Sequence, residues 1–214
     1  MVEDTTTHPL VVQVLAGAKR QLACLTVKKE PITPEILTKL VDKFGQEDAS
    51  LLNVRTLTVV LVGYAGFLRF DEFEFNLKES DVQILEEHME LFIESSKTDQ
   101  YRDGAWVVIA RTSSKLCPVA MMERYQSLAQ ITGQDLPLFR GITNTRSGGK
   151  LRKGGSISYS RMREVVLNML SAVGLDKSKF GLTQEFLSVC LSGMGGGEVK
   201  MPKIVMFRMP WMNG

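Results

Sequence analysis

"LNVRTLTVVLVGYAGFLRFDEFEFNL", residues 52 to 77, decides how the rest of the chain is read. The stretch is a long apolar run interrupted by Gly63 and Gly66, and it turns acidic and aromatic after Arg69. It is long enough for a helix that is apolar on every side, and such a helix has to lie inside a protein core. A membrane span needs roughly 20 uninterrupted apolar residues, and this run is too short and too charged for that. We therefore expect a central buried helix that breaks near Gly66.

A helix of that kind needs other elements around it, and the flanking sequence supplies candidates. "PITPEILTKLVDKF" puts Thr33 before Pro34 with Glu35 in the first turn, the pattern of an N-cap followed by proline at the first helical position. Residues 9 to 24 carry apolar groups near helical spacing and then meet the polar TVKKEP, which reads as a helix and a linker. "DVQILEEHMELFIESSKTDQYRDGAWVVIART" contains alternating, β-rich segments around the turn residues Tyr101, Asp103 and Gly104, so strand, hairpin and strand are expected. "CPVAMMERYQSLAQITG" reads as a helix started at Pro118 and stopped by Gly133. Residues 136 to 158 look loop-rich, with paired glycines at 148/149 and 154/155. "SYSRMREVVLNMLSAVGLD" then gives an amphipathic helix closed by Gly174.

With 214 residues, 44% hydrophobic and 23% charged, the chain has the composition of an ordinary globular protein with one main domain. Cys24, Cys117 and Cys190 are odd in number and lack CxxC spacing, which argues against a disulfide framework or a structural zinc and for a reducing, intracellular compartment. His8 and His88 are isolated, so no metal site is expected. The N-terminus has no basic flank with an apolar core behind it, and no membrane partner is expected.

The net charge of +2 says little, but its distribution is uneven. Residues 78 to 90 are mostly acidic, whereas residues 136 to 163 carry seven Lys or Arg and no Asp or Glu. Within that stretch, "TRSGGKLRKGGSISYSR" joins Arg146, Lys150, Arg152, Lys153 and Arg161 to flexible glycines and a helix start at Ser156 to Ser160. Cations beside exposed backbone N–H groups suit DNA phosphates without implying sequence readout.

Residues 31 to 182 resemble the catalytic domain of tyrosine recombinases, the phage-integrase family, and most closely those of eukaryotic mobile elements. The resemblance rests, in order, on "GFLRFDEF", "NLKESDV", the "SKTDQYRDG" hairpin, "LPLF" and "ISYSRMREVVLNMLSAVGL". It implies a mainly α fold with a small antiparallel β-hairpin sheet, an integrase-like DNA breaking-rejoining domain incomplete at its C-terminus. Residues 1 to 30 resemble the end of that family's separate core-binding domain and its linker. The family cleaves DNA through a phosphotyrosine and rejoins it with no metal or other cofactor. The implied partners are double-stranded DNA and further recombinase protomers, and the implied location is nuclear.

On this resemblance Arg69 matches the first catalytic arginine, Glu72 the carboxylate that orients the site, and Lys97 the hairpin lysine that protonates the leaving oxygen. The segment from Arg69 to Leu77 is one residue longer than the family's spacing, around Phe73 to Phe75. After Leu182 the family continues with a His-x-x-Arg helix, a Gly-x-His/Trp element and the nucleophilic tyrosine, and none of these follows here. Tyr64, Tyr101, Tyr125 and Tyr159 all sit in other contexts.

The chain instead runs into "SVCLSGMGGGEVKMPKIVMF", residues 188 to 207. Its triple glycine lacks the strand context and the Lys-Ser/Thr of a nucleotide loop. With permitted wobble bases, codons for this tail regrouped one frame over read Gly-Arg-Trp, followed by a tyrosine at the family's spacing. The hidden glycine is forced, because the Met194 codon ends in G and that of Gly195 begins GG. Residues 183 to 214 are accordingly expected to be an out-of-frame, poorly ordered tail, and the chain a recombinase relative without activity.

Overall fold

The computed structural model describes residues 8–22, 29–66, 68, 77–94, 104–145, 148–180 and 204–206. Five helices carry most of them: α1 (Pro9–Gln21), α2 (Pro34–Phe44), α3 (Leu51–Gly66), α4 (Pro118–Ala129) and α5 (Tyr159–Ala172). A four-stranded antiparallel sheet, in the order β1-β2-β3-β6, is formed by Val82–Ile84, His88–Ile93, Ala105–Ala110 and Ile204–Met206. A separate two-stranded hairpin pairs β4 (Arg140–Thr145) with β5 (Gly148–Ser156). No helix among the described residues is long and apolar enough to cross a membrane.

The expected central helix is α3, and it ends at Gly66. Thirteen of its 16 residues are buried, so neighbours pack around most of it, and Leu52 in its first turn is exposed. Leu37, Leu40 and Val41 of α2, Met121, Met122 and Tyr125 of α4, and Met162, Val166 and Leu170 of α5 share its core. Two buried threonines on α3 are satisfied locally, as an apolar core requires: Thr56 donates to the Leu52 carbonyl at 2.7 Å and Thr58 to the Val54 carbonyl at 2.8 Å.

The sheet covers one side of this core. β2 alternates half-buried and buried positions, so Met89, Leu91 and Ile93 point inward with Val107 and Ile109 of β3. Phe92 and Trp106 meet on the other face, with ring centroids 5.2 Å apart. Just before β3, Gly104 takes φ +70°, and a Cβ there would stand 2.6 Å from the Phe92 ring. Only glycine fits both demands.

Helix ends follow the predicted signals in part. Pro34 opens α2 and Thr33 is its N-cap, but the Thr33 hydroxyl makes no capping bond to the helix backbone. It bonds the Glu35 carboxylate instead, holding that carboxyl below its ordinary value. At α5, Gly174 supplies the expected left-handed exit, with φ +85°. α4 stops earlier than predicted: Gln130, not Gly133, takes the left-handed turn at φ 53°. The predicted loop at residues 136 to 158 is largely the β4–β5 hairpin.

A last contact ties the two ends of the described core together. Glu30 and Phe180 form an isolated parallel bridge, with the Glu30 amide donating to the Lys179 carbonyl at 2.7 Å. Lys29 Nζ reaches the Ser178 carbonyl at 2.6 Å, and Lys179 pairs with Glu30 at 3.2 Å.

Candidate nucleic-acid interface

The basic stretch singled out in the sequence lies on the β4–β5 hairpin and the first turn of α5. Hairpin register changes between Arg140↔Ser156 and Ile142↔Leu151, so β5 carries extra residues there. Arg152, Lys153, Gly154 and Gly155 fall in that bulge, with Gly155 at φ +74°. Below the bulge the hairpin hugs α3: a Cβ on Gly149 would stand 3.1 Å from Ile142 and 3.5 Å from Leu51. This docking sends Leu151 partly inward and leaves Lys150 and Arg152 exposed, with Lys153 exposed beside them.

Beyond the backbone ladder of the hairpin, the side chains of Lys150, Arg152 and Lys153 make no hydrogen bond or ion pair among the described residues. Arg161 is also exposed and pairs with Glu164 one turn on, at 2.7 Å. α5 is capped by Ser158, whose hydroxyl accepts from the Arg161 amide. Arg69, Glu72, Lys97 and Arg146 lie outside the described residues, so the geometry here concerns the other four predicted cations.

One basic residue counted in that stretch turns inward. Arg140, at the root of β4, is 8% exposed and ion-paired with the buried Glu79. The other Glu79 oxygen accepts from the Gln134 amide at 3.1 Å. Arg55, 1% exposed on α3, donates from Nη1 to the Arg140 carbonyl at 2.7 Å. A polar relay thus runs from α3 through the base of the hairpin to the 3-10 turn Glu79–Asp81. The sequence signal for it was Arg55, a cation inside an otherwise apolar helix, which is tolerated only with partners.

Tyr125 of α4 adjoins this relay. Its hydroxyl donates to the Leu138 carbonyl at 2.8 Å and its ring stacks on Phe139. Burial raises its pKa well above that of a free phenol, with nearby Arg55 and Arg140 pulling the other way. It is fully buried and remains a neutral structural group.

Between α3, the hairpin and the start of α5 opens a cavity of about 430 Å³. Arg55 and Leu52 line it from α3, Gly141, Ile142 and Arg152 from the hairpin, and Ser156, Ser158 and Arg161 from the approach to α5. Three arginines, one of them buried, beside the positive end of a helix make an anion-receiving surface. No group of three or more His, Cys, Asp or Glu placed to hold a metal ion occurs among the described residues.

No protein-family model matches the chain, and no curated protein matches it. Solved structures do match. The XerH site-specific recombinase bound to its difH substrate in a pre-cleavage complex is similar over 77% of this chain, at 15% identity and a TM-score of 0.50. A post-cleavage complex of XerH with palindromic difH matches 75% of the chain at 14% identity, with a TM-score of 0.49. A FLP recombinase–Holliday junction complex matches 87% at 11% identity, with a TM-score of 0.46. The chain spans 43% of the length of the first XerH chain and 50% of that of FLP. At these identities the first match establishes the fold: a helix-rich domain with small antiparallel sheets, shared with the catalytic domain of tyrosine recombinases.

Proposed function

We propose that this chain is a DNA-binding protein of the tyrosine recombinase lineage that grips duplex DNA without cutting it. The observation that carries the reading is the exposed cation row Lys150, Arg152, Lys153 and Arg161 on a recombinase-type fold. Three of the four have no partner among the described residues, so a polyanion gains them without first breaking ion pairs. Inactivity rests on the sequence. Arg69, Glu72 and Lys97 match parts of the family's site, while the second arginine in its His-x-x-Arg pattern, the His/Trp element and the tyrosine do not occur in residues 183 to 214, where the family's order would put them. Without the nucleophile no phosphotyrosyl bond forms, and without the second arginine half of the phosphate clamp is lost.

The same lineage suggests partner protomers and a nuclear location, and the tail from 183 onward fits a frame shifted by deletion or altered splicing. Sequencing gene and transcript tests that origin: an adjacent open frame encoding Gly-Arg-Trp and the tyrosine supports it, and its absence removes it.

Fluorescence anisotropy with labelled duplex, between 50 and 200 mM salt, tests the binding. Four phosphate contacts give a log–log slope of about −3.6 and roughly a 150-fold loss of affinity over that range. A suicide substrate tests the inactivity, with no covalent adduct expected and any tyrosine-linked product overturning it. One observation favours a second reading as a protein-interaction domain: α1 buries none of its residues and exposes Leu10, Val14 and Leu15. Absence of salt-dependent duplex binding would select that reading.

A further inference from the structure

We infer that the cavity between α3, the β4–β5 hairpin and the start of α5 is a seat for one phosphate group, held by Arg152 and Arg161 over the buried charge of Arg55, and that Glu164 competes with the phosphate for Arg161. This rests on the DNA-binding reading above and sharpens it. It divides the exposed cations into two that fix a phosphate in place and two, Lys150 and Lys153, that only screen it.

Three features distinguish a seat from a diffuse basic surface. The first is concavity: about 430 Å³ lies within the range of pockets that enclose small ligands, and arginines line it from three separate elements. The second is that Arg152 is positioned. A Cβ on Gly141 would stand 3.2 Å from the Arg152 Cδ and 3.5 Å from its Nε, so the arginine stem lies across the bare glycine, and the guanidinium is held at the cavity wall. A fork held in advance loses less freedom when it grips an oxyanion. The third is that Arg55 is almost wholly buried yet lines the cavity, and a charge shielded from water acts on an incoming anion more strongly than a solvated one.

Arg161 is not committed to the cavity. Its guanidinium lies 2.7 Å from Glu164, and that exposed pair is weak enough for a phosphate to replace. The carboxylate is therefore a built-in competitor that sets affinity without touching the ligand.

The seat takes the chemistry of a phosphate ester or free phosphate, and two arms separate these sources. In the first, inorganic phosphate is titrated into the full chain while arginine Nε–H signals are followed by NMR. In the second, labelled duplex is bound to Arg152→Lys, Lys153→Arg, Gly141→Ala and Glu164→Gln variants, each checked for unchanged circular dichroism. The seat predicts that Arg152→Lys weakens duplex binding about tenfold, because the fork is lost while the charge stays, whereas Lys153→Arg changes nothing. Gly141→Ala also weakens binding by displacing the Arg152 stem, and Glu164→Gln tightens it about twofold.

If duplex binds the unaltered chain but Arg152→Lys and Gly141→Ala match it, the seat is wrong and the DNA reading stands. If no duplex binds while inorganic phosphate shifts a signal that Arg152→Lys abolishes, the seat stands and the DNA reading falls. No response in either arm overturns both.

Discussion

Replacing Glu79 should cost this fold more than any surface charge does. Its carboxylate is 3% exposed, faces Arg140 and accepts from the Gln134 amide. Glu79→Gln leaves the Arg140 guanidinium buried with no counter-charge among the described residues, with Arg55 a second cation at the same hairpin base. Breaking one side of a buried pair costs about 3 to 5 kcal/mol. A domain is stabilised by about 5 to 15 kcal/mol in total, so the change removes a large share of it. Taking a urea slope of about 2 kcal/mol/M, the unfolding midpoint falls by about 1.5 to 2.5 M.

The double variant Glu79→Gln with Arg140→Met should recover most of that loss. Arg140 Nε has no hydrogen-bond partner among the described residues, so its own burial is already incompletely compensated. Equilibrium urea unfolding of the two single variants and the double variant forms the cycle that reads the coupling. A midpoint shift below about 0.5 M for Glu79→Gln, or a double variant as unstable as the sum of the singles, would refute the relay as the anchor of the hairpin.

Two further outcomes follow from local geometry. Gly104→Ala forces a side chain into φ +70° and against the Phe92 ring, so thermal melting should fall by about 4 to 8 °C, from about 2 kcal/mol of strain and clash. Arg111 bonds Glu123 through both carboxylate oxygens, at 2.6 and 2.7 Å, and this holds the Glu123 carboxyl below its ordinary 4.5. A lowered folded-state pKa contributes stability above the unfolded value and loses it as pH falls through the folded one. Glu123→Gln should therefore be slightly less stable than the unaltered chain at pH 7 and equal to it once the Glu123 carboxyl of the unaltered chain is protonated in the folded and unfolded states alike, as unfolding midpoints from pH 7 to 2 will show. The pair is partly exposed, so the difference is small.

Much of the fold was legible because punctuation and period agreed. Pro34, Gly66 and Gly174 mark real helix ends, and the alternation in HMELFI and AWVVIA is real strand burial. The β4–β5 hairpin was not legible, since its glycines and cations have poor strand propensity and it forms by docking Gly149 and Ile142 against Leu51. For the same reason charge counting placed the exposed Lys150, Arg152, Lys153 and Arg161 on the surface but also counted Arg140, whose direction depends on Glu79 more than 60 positions away. Arg69, Glu72 and Lys97, expected from the resemblance to be site residues, and the cation Arg146 lie outside the described residues.

The bridge between Glu30 and Phe180 has a kinetic consequence. Lys29 and Ser178 are 149 positions apart, yet closing so long a loop costs only about 1 kcal/mol more than closing one a quarter as long. Phe180 itself is buried in the core, but the polar contacts beside it, from Lys29, Glu30 and Lys179, are exposed, so these are expected to form after the core has condensed and to contribute little to the folding barrier. Contacts made that late act mainly on the rate of coming apart. The clasp is a latch on unfolding, and because it makes the core a ring, the two ends of the core could be joined there and the chain reopened at an exposed turn such as residues 113 to 115.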